Sequence, residues 1–316
     1  MTANVPLLLV DGHNLLFRAC FGTPAQILSR DQTGRRDLTT QFMFFALPRK
    51  GINDEFSDWP EVIVVFDGQD GADHRKDTDP GYKATRPDGP EALRPILALP
   101  DIKTGLDMYG ITWIEIDDAE ADDVIATLAA ACPGRDVLIA STDQDYYQLL
   151  REGRPDHGAV RVLNTAMRPG RRLIGPAEVT ARYGITPTQY PDFRALCGDT
   201  SDNIPGVRGV GAKTAAALLA GGLRLEDLPA SGRLSGGKGT AITAAWPQVL
   251  TWRSMIQMRA DLPLPATPAG AATTALPIPG DLMTKLGLWR RTTTPATPAM
   301  TRTPGWDLIR QSERNP

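Results

Sequence analysis

Nine acidic residues lie where their carboxylates could act together on one ion or substrate. Glu120 and Asp123 have the i, i+3 spacing that places two side chains on one face of a helix. Asp199 and Asp202 repeat that spacing. Crowded carboxylates raise one another's pKa, so a bound cation is expected to offset their repulsion. The full set is Asp11, Asp67, Glu120, Asp122, Asp123, Asp143, Asp145, Asp199 and Asp202.

These residues favour the binding of a hard divalent cation. Their side chains offer only oxygen atoms, which suit Mg²⁺ or Mn²⁺ better than zinc. Cys20, Cys132 and Cys197 are far apart and show no paired spacing, which argues against a zinc site and a disulfide framework. Two cations about 3.5 to 4 Å apart can activate a water and stabilise the leaving oxygen of a phosphodiester. We interpret His13 as a packing or hydrogen-bonding residue, because the oxygen ligands suffice.

Each acid taken alone has a simpler explanation. Aspartates that follow strands are common turn formers, and acids at helix starts act as caps. We assign Asp117 and Asp118 to that role. The metal-binding interpretation therefore depends on the whole set of acids.

Four apolar runs lead to the acids and predict the strands that position them. The stretches between the runs, such as residues 121–131, have helical spacing, so strand and helix alternate. This alternation predicts an α/β fold with a mostly parallel sheet and helices on both faces. Ligands bind beyond the carboxyl ends of such strands, so the acids are expected to converge on that edge. The runs cover residues 7–10, 62–66, 111–116 and 137–140.

A glycine-rich stretch at residues 204–219, IPGVRGVGAKTAAALL, is typical of a helix-hairpin-helix. Its glycines allow a tight turn, and the amides that start the next helix would face a phosphate of duplex DNA. Residues 203–260 hold seven basic side chains against two acidic ones, although the whole chain has a formal charge of -3. No base-reading array accompanies the stretch, so non-specific backbone contact is expected. The predicted contacts are Arg208, Gly209, Gly211, Lys213 and Thr214.

A polar segment at about residues 70–95 is broken by proline and glycine, which predicts a loop or a mobile arch over the acids. Lys83 and Arg86 are expected to neutralise charge that develops on the scissile phosphate. Tyr82 is expected to stack on a base, and Arg75 to contact DNA. The alternatives are solvated loop cations and, for Tyr82, a hydrophobic anchor of the segment.

The chain divides into three predicted regions of different composition. Residues 1–186 form the α/β domain, and residues 187–265 form a module of short helices. Residues 266–316 are a Thr/Pro-rich, partly disordered tail with one short helix near 280–289. The chain shows neither a signal peptide nor an apolar run of membrane-spanning length, so a cytoplasmic protein is expected.

Six strings in the sequence resemble the 5′-nuclease family. This family comprises the 5′-exonuclease domain of bacterial DNA polymerase I, the phage 5′-exonucleases and the flap endonucleases. The order and spacing of the six strings match the family pattern over roughly residues 5 to 265, and the last string is highly specific. The strings are LLLVDGHNLLFRA, VIVVFDG, GYKATRP, EADDVIATLA, STDQDYYQLL and ALCGDTSDNIPGVRGVGAKTAAALL.

The resemblance implies a PIN-like α/β domain followed by a helix-three-turn-helix module. It implies a structure-selective 5′-3′ exonuclease or flap endonuclease that uses two Mg²⁺ or Mn²⁺ ions in replication or repair, removing primers or flaps. Lys83 and Arg86 match the catalytic basic pair, and the backbone at Val207 and Val210 matches a potassium site. The implied ligands are Asp11, Asp67, Glu120 and Asp122 for the first metal, with Asp123 close by, and Asp143, Asp145, Asp199 and Asp202 for the second.

The expected partner is DNA with a 5′ flap, a nick or a free 5′ end. An RNA–DNA hybrid is a further candidate substrate, and the protein is expected to be a monomer that replication or repair proteins can recruit. The competing interpretations are a PIN-type ribonuclease or a phosphatase, and a non-catalytic DNA-binding protein on the same scaffold. Pro48 departs from the family pattern and predicts that its helix ends or kinks there.

Overall fold

A six-stranded sheet forms the centre of the computed structural model, which describes residues 5–29, 36–87 and 89–289. The strands are β1 (Leu7–Asp11), β2 (Glu61–Asp67), β3 (Thr112–Ile116), β4 (Val137–Ala140), β5 (Val160–Leu163) and β6 (Leu173–Ile174). Their order across the sheet is β3-β2-β1-β4-β5-β6. The first five strands run parallel, and β6 runs antiparallel to β5. The predicted mostly parallel sheet is confirmed.

Twelve α-helices lie in the described residues. They are α1 (Gly12–Phe21), α2 (Thr39–Glu55), α3 (Asp73–Thr78), α4 (Pro90–Leu93), α5 (Leu99–Met108), α6 (Ala121–Ala131), α7 (Pro176–Tyr183), α8 (Tyr190–Cys197), α9 (Ala212–Leu219), α10 (Gly236–Ala244), α11 (Trp246–Ile256) and α12 (Pro279–Lys285). Short 3-10 helices cover Ile96–Ala98, Asp145–Leu149, Pro187–Gln189, Ala220–Gly222 and Leu225–Ala230. Helix and strand alternate as far as β4, as the sequence predicts.

The apolar run of β1 explains why helices cover both faces of the sheet. Alternate side chains of a strand point to opposite faces, and all of β1 is buried. Leu9 lies in one core cluster with Val124 of α6. Leu8 lies in a second cluster with Leu16 of α1 and Phe44 of α2. The two clusters account for the continuous hydrophobicity of the run.

Beyond β6 the chain is helical until it returns to the sheet. Helices α8 and α11 pack on each other, and the first core cluster continues into this module. An extended stretch then leads back to the start of β2, where the Thr273 N–H donates to the Pro60 carbonyl at 2.9 Å. Helix α12 packs against α2 on the face of the sheet that holds the second core cluster. The returning chain therefore ties the helical module to the α/β domain.

Two sequence expectations need correction. The segment at 70–95 holds two short helices, α3 and α4, so it is partly helical where the sequence predicts a loop or a mobile arch. Helix α2 runs through Pro48 and ends seven residues later at Glu55, which excludes the predicted end at the proline and leaves the predicted kink as a prediction. The expected disordered end of the tail, residues 290–316, lies outside the described residues. Within the part that is described, no helix is both long and apolar enough to cross a bilayer.

Candidate active site

A cavity of about 610 Å³ lies at the carboxyl ends of the central strands. Asp11 ends β1 and Asp67 ends β2, so the sheet itself brings these acids to the cavity. Lys83 and Arg86 of the segment 70–95 also line it. The five predicted acids that line the cavity are Asp11, Asp67, Glu120, Asp122 and Asp143.

Asp11 is held by three neutral donors. Its Oδ1 accepts the Asn14 N–H at 3.0 Å, which caps the start of α1. Its Oδ2 accepts the Ser141 hydroxyl at 3.0 Å and the Tyr146 hydroxyl at 3.1 Å. Burial, followed by the charge of Asp67, raises the pKa of Asp11 to about 7. The sequence interpretation missed Ser141 and Tyr146, although Ser141 lies two residues before Asp143 and Tyr146 directly follows Asp145.

Asp67 is bound to the start of α6. Its Oδ1 accepts the Ala121 N–H at 2.7 Å, and its side chain keeps 41 % of its surface exposed. The Asp67 backbone N–H donates to Nδ1 of His13 at 2.9 Å. His13 therefore has the hydrogen-bonding role that the sequence predicts.

Glu120 immediately precedes α6 and pairs with two cations. Lys83 donates to its Oε1, and Arg75 donates to its Oε2. The Tyr82 hydroxyl also donates to Oε2, at 3.0 Å. Burial alone would raise the pKa of Glu120, but Lys83 and then Arg75 hold it below its usual value. Glu120 is therefore ionised in this arrangement.

Asp122 is the acid of α6 whose charge has least support. Burial raises the pKa of Asp122 to about 8, and the charges of Asp123 and Glu120 add to this effect. Arg75 lies 3.5 Å from its Oδ1 and opposes the shift. An additional cation would therefore stabilise the ionised form of Asp122.

Asp123 has a structural role that the sequence prediction of a metal ligand misses. Its side chain is 1 % exposed, and both oxygens are occupied. Arg75 Nη2 and the Arg259 N–H donate to Oδ1 at 2.8 and 2.9 Å, and Arg259 Nε donates to Oδ2 at 2.9 Å. Asp123 is a structural residue that connects α6 to the chain beyond α11.

Arg75 and Tyr82 are also corrected, because neither is exposed enough to contact DNA. Arg75 is 6 % exposed, and its Nε donates to the Met255 carbonyl at 2.8 Å in α11. Tyr82 is 3 % exposed and belongs to the first core cluster. The alternative interpretation of Tyr82 as an anchor of its segment agrees with this burial. Lys83 stands above the Tyr82 ring, with Nζ 4.7 Å from the ring centre.

Asp143 and Asp145 follow β4 and face the acids of the helical module. The Asp145 N–H donates to Oδ1 of Asp143 at 2.9 Å. Burial raises the pKa of Asp145 well above its usual value, and the charges of Asp143, Asp199 and Asp202 raise it further. Burial also raises the pKa of Asp143. These four acids therefore form a second group whose charges interact.

Asp199 and Asp202 each accept a hydrogen bond from an arginine side chain. Arg194 Nε donates to Oδ2 of Asp199 at 3.0 Å, and the Ser201 N–H donates to Oδ1 at 2.8 Å. Burial opposes the charge of Asp199, but Ser201 and Arg194 hold its pKa below the usual value. Arg86 Nη2 donates to Oδ1 of Asp202 at 3.0 Å.

The donor set fits a hard divalent cation in charge and in chemistry. The cavity presents carboxylate oxygens, and burial raises the pKa of Asp11, Asp122 and Asp143, so their ionised forms lack compensating charge. Across residues 5–29, 36–87 and 89–289, however, no three Asp, Glu, His or Cys side chains stand close enough to share one ion. In this arrangement Lys83 and Arg75 donate to the two oxygens of Glu120.

The glycine hairpin has the turn that the sequence predicts. Gly206 has φ +66°, and a Cβ there would lie 2.4 Å from the Gly198 nitrogen, so no other residue fits. Gly209 has φ +82°, and Gly211 precedes α9. Val207 and Val210 are buried, whereas Arg208 and Lys213 are exposed. Thr214 is half-buried and accepts Lys238 Nζ at 2.8 Å, which adds a basic side chain to this surface.

Two family models match consecutive parts of the chain. The model described as 5′-3′ exonuclease, N-terminal resolvase-like domain matches residues 6–184. The model described as 5′-3′ exonuclease, C-terminal SAM fold matches residues 185–276. Together they cover the sheet, the cavity and the hairpin.

Curated relatives include several DNA polymerases I. The thermostable DNA polymerase I of Thermus thermophilus is 38% identical over 224 residues, which cover 70% of this chain and 24% of the polymerase. That of Thermus aquaticus is 37% identical over 262 residues, covering 82% and 29%. DNA polymerase I of Mycobacterium tuberculosis is 35% identical over 274 residues, covering 84% and 28%. The chain thus spans about a quarter of the length of these relatives.

Solved structures share the fold. The T5 5′-exonuclease with bound zinc ions has a TM-score of 0.61 at 20% identity, covering 89% of this chain and 98% of its own. The catalytic core of Rad2 in complex with DNA substrate has a TM-score of 0.52 at 15% identity, covering 90% and 88%. At these identities the likeness concerns the fold alone.

Proposed function

Since this chain belongs to the 5′-3′ exonuclease family, we propose that it hydrolyses phosphodiester bonds in DNA at 5′ flaps, nicks or free 5′ ends. The observation that carries this proposal is the group of carboxylates around one cavity, facing Lys83 and Arg86. Acids whose pKa values are raised by burial and by one another characterise a site that is completed by a ligand.

Two divalent cations, Mg²⁺ or Mn²⁺, are the proposed cofactors. Asp11, Asp67, Glu120 and Asp122 would hold the first, and Asp143, Asp145, Asp199 and Asp202 the second. When bound, these ions would activate the attacking water and stabilise the departing 3′ oxygen. Lys83 occupies one oxygen of Glu120, so it would have to release that oxygen before Glu120 could serve as a ligand.

Lys83 and Arg86 are the proposed catalytic cations. Both line the cavity, and each pairs with an acid of a different proposed metal group. Substrate phosphate would compete with Glu120 for Lys83 and with Asp202 for Arg86. Their transfer from carboxylate to phosphate would place positive charge where negative charge develops in the transition state.

The hairpin is the proposed site of contact with the duplex. Arg208 and Lys213 are exposed beside Gly209 and Gly211, where the backbone can approach a phosphate closely. Thr214 would add a hydroxyl donor. A potassium ion at the backbone of Val207 and Val210 is part of the same proposal. These contacts read phosphate and carry no sequence specificity.

The wider role that we propose is removal of primers or flaps in replication or repair. The chain would act as a cytoplasmic monomer, recruited by replication or repair proteins, and would also accept an RNA–DNA hybrid. Labelled flap, nick, overhang and hybrid substrates, cleaved in parallel, would rank these substrates. Cleavage of single-stranded RNA with no cleavage of flapped DNA would favour the PIN-type ribonuclease instead.

Asp67→Ala tests the proposal. In Mg²⁺ this variant should lose cleavage of a 5′-flapped duplex, while binding of the same duplex in EDTA should persist. Asp73→Ala is the matched control, because the Asp73 side chain of α3 is exposed and pairs with Lys76. Cleavage by Asp67→Ala at the wild-type rate would contradict the metal assignment. Binding without cleavage in the wild type would favour the non-catalytic alternative.

A further inference from the structure

We propose that Tyr146 is a positioning residue that fixes the Asp11 carboxylate for a divalent cation. The inference rests on the proposed function, since it concerns a metal that Asp11 would hold. Tyr146 lines the cavity, is 1 % exposed, and donates its hydroxyl to Oδ2 of Asp11 at 3.1 Å. Donors that hydrogen-bond to a metal-binding carboxylate orient it and sustain metal affinity.

The hydrogen bonds distinguish the two oxygens of Asp11. Oδ2 accepts two hydroxyls, from Ser141 and Tyr146, which together use its two lone pairs. Oδ1 accepts one donor, the Asn14 N–H. Oδ1 therefore keeps acceptor capacity for a cation, while Oδ2 fixes the orientation of the carboxylate. Loss of the Tyr146 hydroxyl would release one of the two bonds that set this orientation.

The position of Tyr146 links the two proposed metal groups. It directly follows Asp145 in the 3-10 helix Asp145–Leu149. Asp145 is an acid of the second proposed metal group, and Tyr146 contacts Asp11 of the first. The next residue, Tyr147, packs edge-on against the Tyr190 ring at 5.5 Å between ring centres. Aromatic packing thus anchors the helix from which Tyr146 reaches Asp11.

A purely structural role is the competing explanation, because Tyr146 also belongs to the first core cluster. Phenylalanine keeps the ring and removes only the hydroxyl, so Tyr146→Phe separates positioning from packing. Tyr147→Phe is the matched control. It removes a hydroxyl from the same helix, and within the described residues that hydroxyl has no carboxylate hydrogen-bond partner.

The experiment is a titration of the full-length protein with Mn²⁺, measured by calorimetry and by the paramagnetic resonance signal of free Mn²⁺. We expect Tyr146→Phe to weaken Mn²⁺ binding about tenfold. Tyr147→Phe should bind Mn²⁺ like the wild type. Thermal unfolding in EDTA should show that Tyr146→Phe remains folded.

Three outcomes would overturn the inference. Wild-type affinity in Tyr146→Phe would show that the hydroxyl does not position Asp11. An equal loss in Tyr147→Phe would assign the effect to packing. Asp11→Asn, titrated in parallel, separates these results from failure of the proposed function, because wild-type affinity in Asp11→Asn would remove Asp11 from the metal site itself.

Discussion

Glu61 and Asp11 are buried carboxylates at opposite ends of the same sheet, and they differ in how their charge is compensated. At the amino end, Glu61 begins β2 and pairs with Arg135 at 2.7 Å. Its oxygens also accept the Ala269 and Gly270 N–H groups, at 2.6 and 2.9 Å. At the carboxyl end, burial and neighbouring acids raise the pKa of Asp11 to about 7. The paired charge of Glu61 serves structure, whereas the uncompensated charge of Asp11 indicates a ligand site.

The largest expected effect comes from the carboxyl end. Asp145→Ala removes an acid that lies among Asp143, Asp199 and Asp202. Its single-turnover cleavage of a 5′-flapped duplex should fall by about 10⁴-fold or more, equivalent to more than about 5 kcal/mol of transition-state stabilisation. Duplex binding in EDTA should stay within a few-fold of the wild type. A cleavage rate close to that of the wild type would exclude Asp145 from the site.

Glu61→Ala makes the corresponding change at the amino end. Arg135 is 8 % exposed and would be left as a buried, unpaired cation, so the free energy of unfolding should fall by about 3 kcal/mol. Urea denaturation would measure this loss. At a temperature where the variant is folded, its cleavage rate should match the wild type. Loss of cleavage in Glu61→Ala with an unchanged free energy of unfolding would contradict the structural role of the amino end.

Lys83→Ala tests the cation that joins the segment 70–95 to Glu120. Its single-turnover rate should fall about 100-fold, with little change in DNA affinity, because Lys83 is expected to act on charge in the transition state. Lys76→Ala is the control, since Lys76 is exposed and pairs only weakly with Asp73, at 3.5 Å. An unchanged rate in Lys83→Ala would remove it from the mechanism.

Asp11→Asn should stabilise the metal-free protein. The pKa of Asp11 is raised from 3.8 to about 7 in the folded state, so stability is lost as pH rises from about 4 to about 7. Between pH 4 and pH 8 in EDTA we expect the stability of the variant relative to the wild type to increase by about 4 kcal/mol, because the shift is about three pKa units at about 1.4 kcal/mol each. Denaturation curves at several pH values would measure it. A gain that did not depend on pH would contradict the electrostatic cause.

The sequence predicts the frame of the site better than its interior. Strand-ending acids such as Asp67 are visible because an apolar run precedes them and parallel strands end at a common edge. Strand β5 escapes prediction because Arg161 interrupts its short run. The polar neighbours of Arg75 in the sequence predict a solvated side chain. In the structure Arg75 is buried against Met255 of α11, which lies 180 residues further along the chain. Contacts of that separation leave no local pattern.

The same reason explains the misassigned Asp123 and the unnoticed Tyr146. Arg259, which binds Asp123, lies 136 residues away in sequence, and Tyr146 reaches an acid 135 residues away. Spacing within a helix places Asp123 beside Glu120 but cannot show which arginine occupies it. The chemistry of the set is therefore predictable, while the function of each member depends on tertiary contacts.

Cleavage of a 5′-flapped DNA duplex by the full-length protein, measured as Mg²⁺ is titrated from EDTA upward, tests the central claim most directly. The claim is that uncompensated acids at the carboxyl end of the sheet complete a nuclease site when they bind divalent cations. We predict no cleavage in EDTA and Mg²⁺-dependent cleavage near the flap junction. Cleavage that persists in EDTA, or no cleavage at any Mg²⁺ concentration, would contradict it.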